Sequence, residues 1–225
     1  MNKVLWSPDS KSFKESKMAL FIDYINQKHN LLIEDYQDLY KWSIANIESF
    51  WKSISDFFKI KYHSEPEEII QNSSDIFNSK WFIGAKLNYA ENMLGFGKSD
   101  SNAIEFYNEL GDLKAVTYSQ LNQKVATLNN FLSSVGVSKG DRVAAVMPNL
   151  SETIIASLAC SSLGGVWSST SPDFGTKAIL DRFKQISPKV LILCDGYTFK
   201  GKTYDCYDKI NQIISKLESV EKVVI

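Results

Sequence analysis

Arginine is almost missing from this sequence: of 25 basic residues, only Arg142 and Arg182 are arginine. Planar guanidinium clamps that grip carboxylate or phosphate through paired bonds are therefore nearly unavailable. Anions have to be met by lysine ammonium groups acting as point charges. An excess of one charge sign is missing too, since 25 basic residues face 26 acidic ones for a net charge of −1. Without a positive field the chain lacks the electrostatic footprint of a nucleic-acid binder, and nucleic acid is excluded as a partner. Histidine is confined to His29 and His63. Neither stands in a metal-ligand spacing or beside a nucleophile, so both read as surface residues and no metal site is assigned. The three cysteines, Cys160, Cys194 and Cys206, are an odd number without a C-x-x-C spacing. They read as reduced, mostly buried thiols of a cytoplasmic protein. The N-terminus, from Met1 to Asp9, has no signal-peptide core. Residues 153–172 lack charge, but they are rich in Ser and Thr and broken by Gly164, Gly165 and Pro172. A membrane span is rejected. There is no G-x-S-x-G elbow, so Ser168, Ser169 and Ser171 are not nucleophile candidates, and no catalytic residue is nominated.

What is present is a folding composition. With 225 residues, 44% of them hydrophobic and 12% aromatic, the chain escapes the signature of disorder. The first hundred residues read as helical. Ser12-x-x-Glu15 fits a capping box ahead of Met18, Phe21, Ile22 and Ile25. Ser43 is read as the cap of a helix whose stripe is Ile47, Phe50, Trp51, Ile54, Phe57 and Phe58. Pro66 and an acidic start predict a short helix over Glu67–Gln71. Glu34, Asp35 and Asp38 read as a solvated face. The stretch from Trp81 to Leu94 has no clean period and reads as a connector with aromatic anchors. A mobile linker, Gly95–Asn102, follows it.

From residue 103 the pattern changes. Ala103–Tyr107 and Leu113–Tyr118 flank Glu109-Leu110-Gly111-Asp112 as a hairpin. Thr117-x-x-Gln120 predicts a capping box, and Gly136 ends that helix. Strands are predicted at Arg142–Met147, Val166–Ser168, Lys189–Cys194 and Glu221–Ile225. Helices are predicted near Ser151–Leu163 and Tyr207–Leu217, with a further one opened by Ser171-Pro172-Asp173. Apolar strands alternating with helices imply an α/β fold with a mainly parallel sheet covered on both faces. Val223-Val224-Ile225 reads as a parallel strand with nothing after it to cover its face. Either it lies under earlier helices or the chain is the front of something longer.

One stretch, Gly196-Tyr197-Thr198-Phe199-Lys200-Gly201-Lys202-Thr203, matches the phosphate-loop pattern G-x-x-x-x-G-K-[ST]. The bulky Tyr197 and Phe199, the preceding βα units and a late-starting helix count against a nucleotide loop and favour a basic surface hairpin.

Several stretches resemble a known family. Trp81-Phe-x-Gly84-x-x-Leu87-Asn88-Tyr89-Ala90-Glu91-Asn92-Met93-Leu94 is similar to the junction segment of acetoacetyl-CoA synthetases. Tyr40-x-Trp42-Ser43, Phe50-Trp51 and Asp56-Phe57-Phe58 resemble the helical extension these share with acetyl-CoA synthetases. Val116-Thr117-Tyr118-Ser119-Gln120-Leu121 is similar to the first core motif of adenylate-forming enzymes, with Gln120 in place of Glu. Ser168-Ser169-x-Ser171-Pro172-Asp173-Phe174-Gly175, Asp181-Arg182-Phe183 and Asp195-Gly196-Tyr197 continue the likeness, which runs from Val4 onward.

The resemblance implies a helical extension over residues 1–98 and the first part of an AMP-dependent synthetase domain over 99–225, incomplete relative to the family's large N-terminal domain. It implies a ligase that turns acetoacetate, or a similar short acid, and Mg-ATP into an acyl-adenylate, from which coenzyme A displaces AMP. By position Lys200 and Lys202 meet the phosphates of coenzyme A, and Ser171, Pro172 and Asp173 line the same nucleotide. The family's S-G-T-T-G-x-P-K phosphate loop, its Tyr-Gly-x-x-Glu motif and its C-terminal catalytic lysine are not among these 225 residues. The chain alone is therefore expected to make no acyl-adenylate. A fragment, a broken-gene product and half of a split enzyme with a separate C-terminal partner stay open. So do a non-catalytic module that binds coenzyme A or a nucleotide and, behind these, a phosphate-loop protein.

Overall fold

The computed structural model describes residues 5–109 and 111–225. Met1–Val4 and Leu110, on which the signal-peptide reading, the start of the family likeness and part of the first hairpin turn fall, lie outside the described residues. The chain forms two compact units, with the break between Leu87 and Asn88.

The first unit is helical with a small sheet. Helix α1 (Ser10–Lys14) is capped by Asp9, and α2 (Lys17–His29) by Ser16. The expected Ser12–Glu15 box is thus displaced: the chain breaks at Glu15–Ser16, and Asp9 already satisfies the free amides of the first turn. Helix α3 (Tyr36–Ala45) is capped by Asp35, which accepts from the Asp38 N–H at 3.0 Å. Asp35 is thus a structural cap and not only part of a solvated face. Ser43 lies inside α3 and donates to the Tyr40 carbonyl, so it does not cap α4 (Ile47–Phe57). Phe21, Ile22, Ile25, Ile33 and Leu39 form the core, and Phe50, Ile54 and Phe57 pack against it. Trp51 and Phe58 from the predicted stripe stay partly exposed. His29 is half-buried rather than superficial: its Nε2 meets the buried Ser53 hydroxyl at 2.9 Å.

The helix expected over Glu67–Gln71 is a strand. Strand β1 (Glu68–Gln71) pairs antiparallel with β2 (Lys80–Ile83), and Ile70 faces Trp81 across the ladder. Adjacent Ile69 and Ile70 are β-branched and both buried, which suits a strand better than one face of a helix.

The second unit opens with α5 (Tyr89–Leu94), which packs on the helices that follow. The expected mobile linker after it is tied down. The Tyr118 and Ser119 N–H groups donate to the carbonyls of Ser101 and Ser99 at 3.0 and 2.9 Å. Gly97 lies so close to the Tyr118 ring that a Cβ would come within 2.0 Å of it. Strands β3 (Asn102–Tyr107) and β4 (Leu113–Thr117) form the predicted hairpin. The Thr117–Gln120 capping box forms as read and starts α6 (Tyr118–Ser134).

Strands β5 (Arg142–Val146), β6 (Val166–Thr170), β7 (Val190–Leu193) and β10 (Lys222–Val224) make a parallel sheet in the order β10-β7-β5-β6. Helix α7 (Ser151–Ser162) joins β5 to β6, α8 (Thr176–Ile186) joins β6 to β7, and α9 (Tyr207–Ile214) precedes β10. Side chains alternate across the sheet. Val143, Ala145, Val190 and Ile192 enter a core with α6 and α7, whereas Ala144, Val146, Leu191 and Leu193 enter one with α8 and α9. Val224 packs against the first core, while Val223 and Ile225 are exposed. Among the described residues no helix is long and apolar enough to cross a membrane.

Phe183 is 1% exposed in the second core. Phe183→Ala is expected to cost about 3–5 kcal/mol of unfolding free energy by urea titration. A change below about 1 kcal/mol would contradict a packed core on that face.

Candidate functional site

The site follows from the direction of the sheet. In an open parallel sheet, ligands lodge beyond the carboxyl ends of the strands, where neighbouring connections leave for opposite faces. The connection after β5 leads to α7 in one core. Those after β6 and β7 lead to α8 and α9 in the other. The three segments that diverge there are Pro148-Asn149-Leu150, Ser171–Gly175, and the hairpin of β8 (Gly196–Phe199) and β9 (Lys202–Asp205). Between the first and third, with the end of β3, lies a cleft of about 470 Å³ lined by Tyr107, Glu109, Pro148, Asn149, Gly196 and Tyr197 among others.

The loop after β6 does not open a helix as expected. Helix α8 begins at Thr176, with Gly175 at its cap position and no side-chain cap. A different force shapes Ser171-Pro172-Asp173: Pro172 is buried, and Lys209 of α9 donates to the carbonyls of Pro172 and, at 3.1 Å, of Phe174. Arg182 stacks 4.5 Å above the Phe174 ring and donates to the Thr170 hydroxyl at 3.3 Å. The loop backbone is clamped, and Ser171 and Asp173 remain exposed.

The stretch that matched a phosphate loop is two antiparallel strands, with Gly196 facing Asp205 and Phe199 facing Lys202. Lys202 and Thr203 belong to β9, and the next helix starts only at Tyr207. A phosphate loop needs a strand, a wrapping loop and an immediate helix N-terminus. The phosphate-loop alternative therefore falls, and the basic hairpin stands. Its turn residues, Lys200 and Gly201, have φ of +52° and +71°, the signature of a two-residue turn matched to strand twist. Tyr197 and Tyr204 stack across the ladder at 5.3 Å.

Lys200 and Lys202 thus sit at the hairpin tip, both exposed. The Lys200 ammonium lies 5.2 Å from the centre of the Phe199 ring. Among the described residues, no hydrogen bond or ion pair engages either ammonium group, and none joins these lysines to Ser171–Asp173. Asp173 acts on the hairpin electrostatically, through Tyr197. Burial raises its phenol above the usual value, and the neighbouring Cys206 and Asp173 push it the same way. The cysteines are free thiols: Cys160 and Cys206 are buried and Cys194 is half-buried. Burial pushes Cys160 up to about 11 and, with the adjacent Cys206 thiol, Cys194 up to about 12. Neither is poised as a nucleophile.

The residues that sequence reasoning missed are braces: Lys209 and Glu109 hold backbone, and Arg182 holds the Phe174 ring and the Thr170 hydroxyl. Glu109 accepts from the N–H groups of Lys200 and Gly201 at 2.8 and 3.0 Å. Tyr197 and Tyr204 did carry a signal, being placed symmetrically about Lys200-Gly201 as in a hairpin. Glu109 carried none, because its partners are 91 and 92 positions away.

With this geometry in hand, comparison with known proteins is decisive. A family model described as AMP-binding enzyme matches residues 97–225. The chain belongs to the AMP-binding enzyme family. A second model, acetyl-coenzyme A synthetase N-terminus, matches residues 36–93. Among its relatives, the acetoacetyl-CoA synthetase of Macaca fascicularis is 36% identical over 225 residues, which are 99% of this chain and 33% of that protein. The acetoacetyl-coenzyme A synthetase of Rhizobium meliloti (strain 1021) is 36% identical over 220 residues, 98% of this chain and 34% of that protein. The solved acetoacetyl-CoA synthetase of Streptomyces lividans superposes with a TM-score of 0.91 at 32% identity, covering 99% of this chain and 35% of that one. The chain spans about a third of the length of the relatives it matches.

Two expectations follow. Lys209→Met removes the donor to Pro172 and Phe174, and limited proteolysis is expected to cut within Ser171–Gly175 faster than in wild type. An unchanged cleavage rate would show that Pro172 burial and the Arg182–Phe174 stack hold the loop without Lys209. The second concerns pH. The N–H groups of Gly201 and Lys200 hold the Glu109 carboxyl below its ordinary value of 4.5. A depressed folded pKa means the contact is fully present above 4.5 and is lost as pH falls through the lower folded value. Amide resonances of Lys200 and Gly201 should therefore hold constant from neutral pH down to that range and shift only below it.

Proposed function

We propose that this chain is the N-terminal part of an acetoacetate–CoA ligase, with residues 1–98 as the helical extension and 99–225 as the start of the ligase domain. The family-model matches, one ending at residue 93 and the other beginning at 97, support that division. The acid assignment is supported by relatives named acetoacetyl-CoA synthetase in vertebrates and bacteria alike. A cytoplasmic location fits the free, unreactive thiols. In the whole enzyme, acetoacetate and Mg-ATP give acetoacetyl-AMP and pyrophosphate, and the thiol of coenzyme A then forms the thioester as AMP leaves. The residues expected to grip ATP are not among these 225, so no adenylation step is assigned to this chain.

This chain's own share is the nucleotide end of coenzyme A. The observation that carries this is the hairpin tip, where the Lys200 and Lys202 ammonium groups are exposed and, among the described residues, make no hydrogen bond or ion pair. They fit phosphate as point charges, whose attraction is strong at contact and screened within about 8–10 Å. The exposed Ser171 hydroxyl and Asp173 carboxylate offer a donor and an acceptor to the same nucleotide, on a loop whose bend is set by buried Pro172. Their exposure leaves them free to do so.

Calorimetric titration tests the reading. The chain is expected to bind coenzyme A, with Lys202→Ala weakening binding about threefold to tenfold and raised salt weakening it further. It is also expected to catalyse no acetoacetate-dependent exchange of labelled pyrophosphate into ATP. Exchange by the purified chain, or indifference of coenzyme A binding to Lys202→Ala, would overturn the assignment.

A further inference from the structure

The tip of the β8–β9 hairpin is held from outside its own ladder. Glu109, in the loop between β3 and β4, accepts from the N–H groups of both turn residues, Lys200 and Gly201. The loop that presents Glu109 is itself braced. Asn108 Nδ2 donates to Asp112 Oδ2 at 2.8 Å, and the Asp112 N–H donates to Asn108 Oδ1 at 2.8 Å. Both Glu109 oxygens are committed to backbone, and neither takes a lysine ammonium group. Lysine also sits at φ +52°, a left-handed conformation that side chains other than Gly and Asn disfavour. A two-stranded ribbon is marginal by itself, so an unbraced tip would exchange among turn forms and carry its lysines with it.

We infer that Glu109 is a positioning residue for coenzyme A binding: it pins the Lys200–Gly201 turn so that Lys200 and Lys202 stand beside the cleft with no ion pair on either ammonium group among the described residues. This rests on the reading of those lysines as phosphate contacts. A carboxylate in an ion pair with an ammonium group would have tied that side chain down; here the Lys200 charge acts on Glu109 only through space. Bound to two backbone amides, it makes charge-assisted bonds that rigidify the turn and leave both side chains available. Because Glu109 also lines the cleft, the same side chain fixes one wall of the cleft relative to the tip.

The test uses the 225-residue chain with Glu109→Ala, Glu109→Gln and Glu109→Asp. Amide exchange at Lys200 and Gly201 is followed by NMR, the affinity for coenzyme A by calorimetry, and the thermal midpoint by circular dichroism. In Glu109→Ala, exchange at the two amides is expected to rise about tenfold and coenzyme A affinity to fall about threefold to tenfold. The midpoint should stay put, as should exchange in β5 and β7. Glu109→Gln, which keeps one acceptor oxygen, is expected to lie between. If wild type binds coenzyme A and Glu109→Ala binds it equally well, this inference fails and the lysine reading survives. Tighter binding by Glu109→Ala also overturns it, marking the carboxylate as a competitor for phosphate. Wild type that binds no coenzyme A overturns the lysine reading and this role together, leaving exchange to report a structural brace alone.

Discussion

Burial of β5 on both faces governs where everything else goes. Val143, Ala144, Ala145 and Val146 are all at most 3% exposed, and they feed two separate cores by turns. A strand in that position needs apolar partners above and below it, and parallel neighbours force a covering helix between each strand and the next. Two consecutive alanines at its centre let both helical layers approach. Once α7 covers one face and α8 and α9 the other, the connections at the carboxyl end of β5 must part. The cleft beside Pro148 and Asn149 is the gap they leave. No single side chain creates it.

The chain's composition then limits what that gap can hold. With two arginines in the molecule, and Arg182 spent on the Phe174 ring and Thr170, the proposed recognition of an anion falls to lysine. Arg142 is committed as well, donating to the carbonyls of Ile186 and Ser187 at 2.7 and 2.9 Å. Lysine gives charge without direction, so geometry has to come from the backbone that carries it. A two-residue turn supplies that geometry, fixing where both lysine side chains depart.

The sequence made most of this framework readable where a local signal coincided with tertiary demand. Thr117 and Gln120 form the capping box their spacing announces, since both partners lie within one turn. Strands β5 and β7 are apolar runs flanked by Gly and Pro, and all four strands of the parallel sheet appear within a residue or two of where the pattern puts them. Misreadings arose where a local motif had a competitor. Ser171-Pro172-Asp173 has the composition of a helix start, but Lys209 takes the loop carbonyls and Pro172 is drawn into the interior, so the helix waits for Thr176. Glu67–Gln71 has an acidic helix-like start, but Ile69 and Ile70 are both buried beside a ladder to β2. Ser43 precedes an aromatic stripe, but α3 runs through it to Ala45. The family likeness supplied Lys200 and Lys202. It could not supply Glu109, whose importance lies in a contact across 91 positions that no periodicity encodes.

A division of labour emerges among the polar groups at the carboxyl end of the sheet. Lys209, Arg182 and Glu109 are consumed by carbonyls, a ring, a hydroxyl and amides, all of them parts of the fold. Lys200, Lys202, Ser171 and Asp173 are exposed on the segments so held. Ordering a loop at the moment of binding costs conformational entropy that a braced loop has already lost on folding. Under the proposed coenzyme A reading, polar groups that look merely structural bear on affinity, because they decide how much disorder the ligand must remove. They also separate two effects that a lysine substitution alone would merge: loss of charge, and loss of the position from which the charge acts. Under the proposed reading Glu109 acts on the second through its bonds to the backbone, while its own negative charge, felt by Lys200, opposes an anionic ligand.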